Sequence, residues 1–222
     1  VIQSQLKLSK RQQIQEILTP DPHLELVEPA HKYWDRKRNR FIPRSVSNIV
    51  NGKQSQSSYR SEGMARGTAI HAHLEQWWKT GLVPNAGEYQ PWVDSFLNYR
   101  NIRNHRWKAL AVELTLADRF HDIAGTCDLI TKDADTGRIA LCDYKTRENP
   151  KDGKGLKSGN YKKQMGGYLS LLQGNYPTIH IDTVTIYYIS PKETRTDTYE
   201  VLDCLKLYEQ ARSAYFEKQL PW

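Results

Sequence analysis

Long apolar runs are missing from this 222-residue chain. No stretch approaches the roughly 18 uninterrupted apolar residues that a spanning helix needs. The opening VIQSQLKLSKRQQ also lacks the apolar segment of a secretory signal, so a cytoplasmic protein with no membrane partner is the expectation. Cysteine is scarce: Cys127, Cys142 and Cys204 are scattered, and none belongs to a Cys-x-x-Cys pair. That excludes a disulfide framework and a zinc ribbon, and leaves buried thiols. A Gly-x-x-x-x-Gly-Lys phosphate loop is also absent, so any nucleotide-driven motor must be another chain. Acidic residues are the rarer charged class, 25 against 32 Lys and Arg, giving a net charge of +7. Such a surplus favours a polyanionic partner.

An apolar share of 38% with 26% charged residues is that of an ordinary globular domain, and no internal repeat or low-complexity linker divides the chain. Ser9 and Gln12 have capping-box spacing ahead of Ile14, Ile17 and Leu18, which reads as a short helix. In HKYWDRKRNRFIPRSVSNIV, Tyr33 and Trp34 precede a charged turn while Phe41 and Ile42 follow it, so a hairpin is expected, then a Ser-initiated turn of helix. Residues 67–79 have a helical stripe stopped by Gly81, and a second helix begins near Pro91 with Val93, Phe96 and Leu97 buried. ALAVELTLAD, HDIAGTCDLIT and GRIALCDYKT are then three β-branched runs separated by polar turns, a meander. A helix over 161–173, a strand in IHIDTVTIYYIS, a short strand in TDTYEV and a helix over 202–218 complete the pattern. The chain is read as one domain over 1–222: an extension over 1–60, a core over 61–195, and a closing strand and helix over 196–222.

Period-two alternation turns Asp143 and Lys145 in LCDYKT to one face, with Cys142 and Tyr144 on the other. A hairpin turning near Thr136 and Gly137 brings the strand of Asp128 alongside. Two carboxylates and an amine that converge can hold Mg²⁺ or Mn²⁺ and stabilise the charge of phosphodiester cleavage. An isolated Asp-x-Lys triplet is also compatible with a plain salt bridge. His71 and Glu75 share a helix face four residues apart, suited to a ligand and its support or to a solvated pair, whereas His73 points elsewhere. Gln164 and Tyr168 are likewise four apart, either core and solvated surface or two groups facing a cleft where they bind phosphate or stack on a base.

Basic residues gather between Thr146 and Lys163: Arg147, Lys151, Lys154, Lys157, Lys162 and Lys163, with Gly153, Gly155 and Gly159 among them. This is either a solvated loop or one that closes over a nucleic-acid backbone. Arg100, Arg103, His105, Arg106 and Lys108, and the turn with Lys37, Arg38 and Arg40, are further candidates for the same groove. Tyr33, Trp34, Tyr59, Trp77 and Trp78 are available either for the core or for stacking on bases.

GTAIHAHLE, AVELTL, GTCDLI, DYKT and QMGGY occur in an order and spacing that resembles the PD-(D/E)xK nuclease superfamily, in particular its RecB-like exonuclease branch with mitochondrial and phage members. The aromatic hairpin before Ser45-Val46-Ser47 resembles the same branch, and the likeness runs over about residues 31–190. It implies a restriction-endonuclease-like α/β core (αβββαβ), a mixed central sheet flanked by helices, with an N-terminal hairpin and helical extension. By this resemblance Asp128, Asp143, Lys145 and Glu113 form the catalytic set. His71, Asp128, Asp143 and the Tyr144 carbonyl are the metal ligands, Glu113 binding through water or from behind. Gln164, Tyr168, Lys154, Lys157 and Lys162 are the DNA contacts. Asp143 stands where many relatives have Glu. Three dispersed cysteines cannot hold the four-cysteine iron–sulfur cluster found in some members, so none is expected.

The implied activity is a Mg²⁺- or Mn²⁺-dependent deoxyribonuclease, an exonuclease on single-stranded DNA ends in replication, repair or recombination. A helicase or recombination partner would be a separate chain, in the host cytoplasm if this one is phage-encoded. The alternatives are a flap or other structure-specific endonuclease, a duplex-end recombination exonuclease, and an inactive nucleic-acid-binding module. The presence of Asp128, Asp143 and Lys145 together speaks against the last.

Overall fold

Two short polar turns in the middle of the chain let three apolar runs fold back on one another, and the rest of the molecule packs on the two faces this creates. The computed structural model describes residues 18–28, 30–52, 62–99, 102, 106–148 and 158–219. In chain order, β1 (Leu24–Val27), β2 (Lys32–Asp35) and β3 (Arg40–Ile42) form a small antiparallel sheet. The expected hairpin is present, with Tyr33 opposite Ile42 and Trp34 opposite Phe41. β4 (Arg44–Ser45) leads into α1 (Val46–Asn51). Ser45 caps this helix: its Oγ accepts the Asn48 N–H at 3.1 Å, and Asn48 Oδ1 accepts the Ser45 N–H at 3.2 Å.

Next come α2 (Glu62–Thr80) and α3 (Gln90–Leu97), then the meander β5 (Trp107–Asp118), β6 (Ile123–Asp133) and β7 (Ile139–Thr146). α4 (Ser158–Asn175), β8 (Thr183–Ile189), β9 (Thr194–Tyr199) and α5 (Val201–Glu217) follow. Across the main sheet β6, β7, β8 and β9 are neighbours in that order, β5 flanks β6, and β4 joins β6. β7 and β8 run parallel, as do β4 and β6, and the other pairs are antiparallel. The fold is therefore mixed α/β, a mixed sheet between helical layers.

One face of the sheet carries Leu141, Val184 and Ile186 against Met165, Leu169 and Leu172 of α4 and Tyr208 of α5. On the other, Cys142, Tyr144, Tyr187 and Ile189 meet Ile70, Leu74 and Trp78 of α2 and Val93 and Phe96 of α3. The alternation read in LCDYKT thus divides two cores. All three cysteines are buried free thiols. The N-terminal hairpin is fastened by the fully buried Asp35 carboxylate, which accepts from Arg38 at 2.7 Å and Arg119 at 2.8 Å.

Some boundaries differ from the sequence expectation. α2 starts at Glu62 rather than Gly67, because a glycine inside a helix weakens it without ending it once packing favours the helix. Gly81 does end it, in the left-handed region at φ 72°. β8 begins only at Thr183, after the Pro177 turn. Tyr33 and Trp78, candidates for stacking on bases, are core residues, and the Trp78 Nε1–H donates to the Tyr144 hydroxyl at 2.8 Å. The helix with Ser9, Gln12, Ile14 and Ile17, together with Tyr59, Arg100, Arg103, His105, Lys151, Lys154 and Lys157, lies outside the described residues.

α4 and α5 touch through Gly166, where a Cβ would fall 2.0 Å from the Cys204 carbonyl oxygen. Gly166→Ala must push the helices apart and should cost on the order of 1–3 kcal/mol. Urea unfolding checks this, and a midpoint equal to that of the wild type would contradict it.

Candidate active site

β6 is paired with β5 along its length, but its other edge is divided. β4 pairs with Ile123 and Ala124, and β7 pairs with Leu129 to Lys132. Between them Gly125 to Asp128 have no strand partner on that side among the described residues. Asp128 stands at this fork, where its Oδ2 accepts the Tyr144 N–H at 2.8 Å, replacing the strand carbonyl that the ladder would have offered. A strand residue directs its N–H and C=O to the same edge, so the Tyr144 carbonyl also faces the fork.

Side-chain alternation breaks at the same rung. Val112 and Leu129 face the α2 layer, whereas Leu114 and Cys127, two positions away on each strand, face the α4 layer. Between Val112 and Leu114 lies Glu113, with φ 49°, a left-handed conformation that costs a non-glycine residue roughly 1–3 kcal/mol. His71 reaches the rung from α2, its ring edge-on to Tyr144 at 5.3 Å and its Nδ1 3.6 Å from Asp128 Oδ2. One ligand atom each from His71, Glu113 and Asp128 lie within 4.8 Å of one another.

Asp143 and Lys145 approach from the α4 face. Their ion pair spans 2.5 Å, and Lys145 Nζ is also 3.4 Å from Gln164 Oε1 and 5.0 Å from the centre of the Tyr161 ring. Gln164 in turn donates to the Tyr168 hydroxyl at 2.8 Å. Burial, with the Asp128 charge behind it, pushes the Glu113 carboxyl up to about 9. Burial likewise raises Asp143 to about 6, Asp128 adding to the effect and Lys145 opposing it. For Lys145 burial works against the charge, yet Asp143 and Asp128 outweigh it and raise its pKa.

Glu113, Asp128 and Asp143 are thus crowded beside one ammonium, closely enough that Glu113 keeps its proton in the metal-free site, and the Asp143 Oδ2 is buried with no well-directed hydrogen bond among the described residues. Hard oxygen donors with an imidazole, desolvated and mutually repelling, fit a divalent cation.

Of the residues expected to act, the structure brings His71, Glu113 and Asp128 into one group and draws the Asp143 carboxylate towards Lys145. Glu75 pairs with Lys79 at 2.6 Å rather than supporting His71. The Tyr168 ring is enclosed beside Gly125, the core alternative of the two read from the sequence, and its hydroxyl accepts from Gln164. Lys162 sits with its ammonium 4.7 Å from the Tyr199 ring, on the side of β9. Lys154 and Lys157 lie outside the described residues. Tyr161, Arg66 and Trp92, which gather around the exit of β7, were not singled out from sequence, where no periodic pattern marks them.

A forked sheet edge with clustered acids and an adjacent lysine is the arrangement of a metal-dependent nuclease. The PD-(D/E)XK nuclease superfamily matches residues 88–220, more than half of the sequence, and the chain belongs to that superfamily. The matched span contains Glu113, Asp128, Asp143 and Lys145, while His71 precedes it. DNA is the substrate class that membership implies, and divalent metal the cofactor class. No curated protein matches the chain. Among solved structures, that of SSO0001 is similar at 12% identity over 96% of this chain and 87% of that one, with a TM-score of 0.34, too distant to argue from. No helix among the described residues is long and apolar enough to cross a membrane.

Glu113 provides a pH test in metal-free protein. Its folded pKa of about 9 lies above the ordinary 4.5, so the folded state keeps a proton that the unfolded state releases, and stability declines as pH rises from 4.5 towards 9. Glu113→Gln should flatten the melting temperature over that window. Mn²⁺ should raise the melting temperature of the wild type more than that of the variant. A variant with the full wild-type pH slope would place the titration elsewhere.

Proposed function

We propose that the protein is a Mg²⁺- or Mn²⁺-dependent DNA exonuclease that works from single-stranded ends in replication, repair or recombination. The observation that carries this reading is the meeting of His71, Glu113 and Asp128 at a fork whose other wall presents Asp143 and Lys145. The exonuclease and single-strand preferences rest on the resemblance to the RecB-like branch, chiefly on the histidine of GTAIHAHLE placed on the helix before the meander. Asp128, Glu113 and His71 would hold the cation, with Asp143 and the Tyr144 carbonyl completing its shell. A divalent ion bound there supplies a Lewis acid and a water of lowered pKa.

The remaining chemistry belongs to the chain. Asp128 fixes the spacing of β6 and β7 through the Tyr144 N–H. Asp143 holds the Lys145 ammonium against the fork, where it can donate to the attacking water and to the phosphate oxygen that gains charge. Gln164, tied to the buried Tyr168 hydroxyl, limits where that ammonium can swing. His71 is set by the T-shaped Tyr144 contact, a ring in a fixed plane rather than a mobile surface imidazole. The resemblance implies in-line attack by water on the phosphodiester and a 5′-phosphate on the product.

The reading is tested on DNA strands labelled separately at each end, single- and double-stranded, with Mg²⁺, Mn²⁺ or EDTA. Wild type should shorten single strands progressively from one end in metal alone. Lys145→Ala and Asp128→Asn should lose at least about a hundredfold in rate, the range of removing a general-acid or charge-stabilising group. His71→Ala should lose metal-supported activity while its metal-free melting temperature stays near that of the wild type. Internal cuts would move the assignment to an endonuclease, and bound but intact DNA in every lane to an inactive binding module.

A further inference from the structure

One face of α4 carries Tyr161, Gln164 and Tyr168 at helical spacing, and the first two both reach the Lys145 amine. The ammonium donates to Asp143 Oδ2 at 2.5 Å and to Gln164 Oε1 at 3.4 Å. Towards Tyr161 it meets the face of the ring, 5.0 Å from the centre. At that distance a ring attracts a cation, most strongly where water is displaced. This contact differs in kind from the other two. Asp143 and Gln164 each engage one of three N–H groups, whereas a ring face attracts the charge as a whole and leaves an N–H for the water or phosphate at the fork. A lysine side chain has many rotamers, and a carboxylate partner fixes its distance more firmly than its direction.

The Tyr161 ring is itself held on two further sides. Tyr188, opposite Lys145 on β8, lies against it with 6.4 Å between ring centres. On the other side the Arg147 Nη2 donates to the Tyr161 hydroxyl, and the Arg147 guanidinium is 5.8 Å from the ring centre. Arg147 can serve as an anchor because its backbone is tied at both polar groups. Its N–H donates to the Ile189 carbonyl at 2.8 Å, and its carbonyl accepts the Trp92 Nε1–H at 2.7 Å. Pairing with β8 thus continues past Thr146, and alternation returns Arg147 to the face of Asp143 and Lys145. Trp92 belongs to α3, on the opposite face of the sheet.

We propose that Tyr161 is a positioning residue for hydrolysis: its ring directs the Lys145 ammonium towards the fork, and Arg147 sets the ring through the hydroxyl. This rests on the nuclease reading and adds to it a residue outside the acidic group. The ring acts on the amine and not on the strand, so its removal costs turnover and leaves binding in place.

The test has two readouts. In metal-free protein with ¹³C-labelled lysine, the Lys145 signal is the one missing from Lys145→Arg, and protons beside an ammonium that lies over a ring are shifted upfield. Tyr161→Leu should return this signal to the position of an ordinary exposed lysine, while Tyr161→Phe should keep most of the shift. In cleavage of single-stranded DNA with Mg²⁺ or Mn²⁺, Tyr161→Leu should lower kcat about tenfold and leave KM, and binding in EDTA, within about twofold. Tyr161→Phe, with the ring present but untethered, should lose about threefold, and adding Arg147→Gln to it should lower kcat no further. The Phe variant also keeps the result readable if Tyr161→Leu folds poorly, as its melting temperature would show.

A Lys145 signal that Tyr161→Leu leaves in place overturns the contact, and with it the inference. A signal that moves while kcat stays at the wild-type value shows a ring that packs without positioning, and overturns the inference alone. Tyr161→Phe as slow as Tyr161→Leu takes the effect away from the ring, and a further loss on adding Arg147→Gln takes the tether away from Arg147; either overturns the arrangement proposed. Wild type that shows the shifted signal but never cleaves DNA overturns the nuclease reading and, with it, a role for Tyr161 in hydrolysis.

Discussion

Three carboxylates and one ammonium share the end of a sheet where the strands part, and the structure is arranged around the cost of that crowding. Each acid is held by a different device. Asp128 is fixed by a backbone N–H across the fork, Asp143 by the Lys145 ion pair, and Glu113 by a left-handed turn of its own backbone. Desolvation raises Glu113 and Asp143 above the ordinary carboxylate range. The site is in this sense preloaded: the folding energy of the two cores supports a charge arrangement that would separate in water. A cation removes the repulsion that the rest of the protein otherwise has to bear.

The fork itself is a matter of strand competition. β6 has one free edge and two suitors, β4 at its beginning and β7 at its end, and neither covers Gly125 to Asp128. Gly125 matters in that gap because the Tyr168 ring fills the space where a side chain would be. The same ring anchors Gln164 and, through it, Lys145. An absent side chain on β6 and a hydroxyl on α4 thereby set the position of an amine on β7.

Much of this was legible in the sequence, for physical reasons. Period-two alternation through LCDYKT set the faces of Asp143 and Lys145, and the polar turn at Thr136 and Gly137 set the pairing that brings Asp128 near. Helical spacing gave His71 a face shared with Glu75, while its role as a ligand came from the likeness of GTAIHAHLE to the nuclease branch. Less visible was anything that depends on broken periodicity. The reversal of faces at Glu113 and Asp128 follows from a backbone irregularity, and alternation rules assume there is none. Tyr168 stayed undecided because an aromatic four residues from a glutamine looks the same whether the helix turns it to a cleft or to a core. Arg66 and Trp92 acquire meaning only from the way α2 and α3 lie against the exit of β7, a tertiary relation without a local signal.

The site draws on both faces of the sheet: His71 arrives from the layer of α2 and α3, Lys145 and Gln164 from that of α4 and α5, and Glu113 and Asp128 from the strands between. Neither hydrophobic layer alone can assemble it. Loosening either one would separate members of the group before the chain as a whole unfolds, because alignment at the level of an ångström is lost sooner than burial. Catalytic competence in such a molecule is a property of the whole sandwich, a coincidence detector for two cores: a partly folded chain can keep Asp143 and Lys145 together on β7 but not with His71, Glu113 and Asp128.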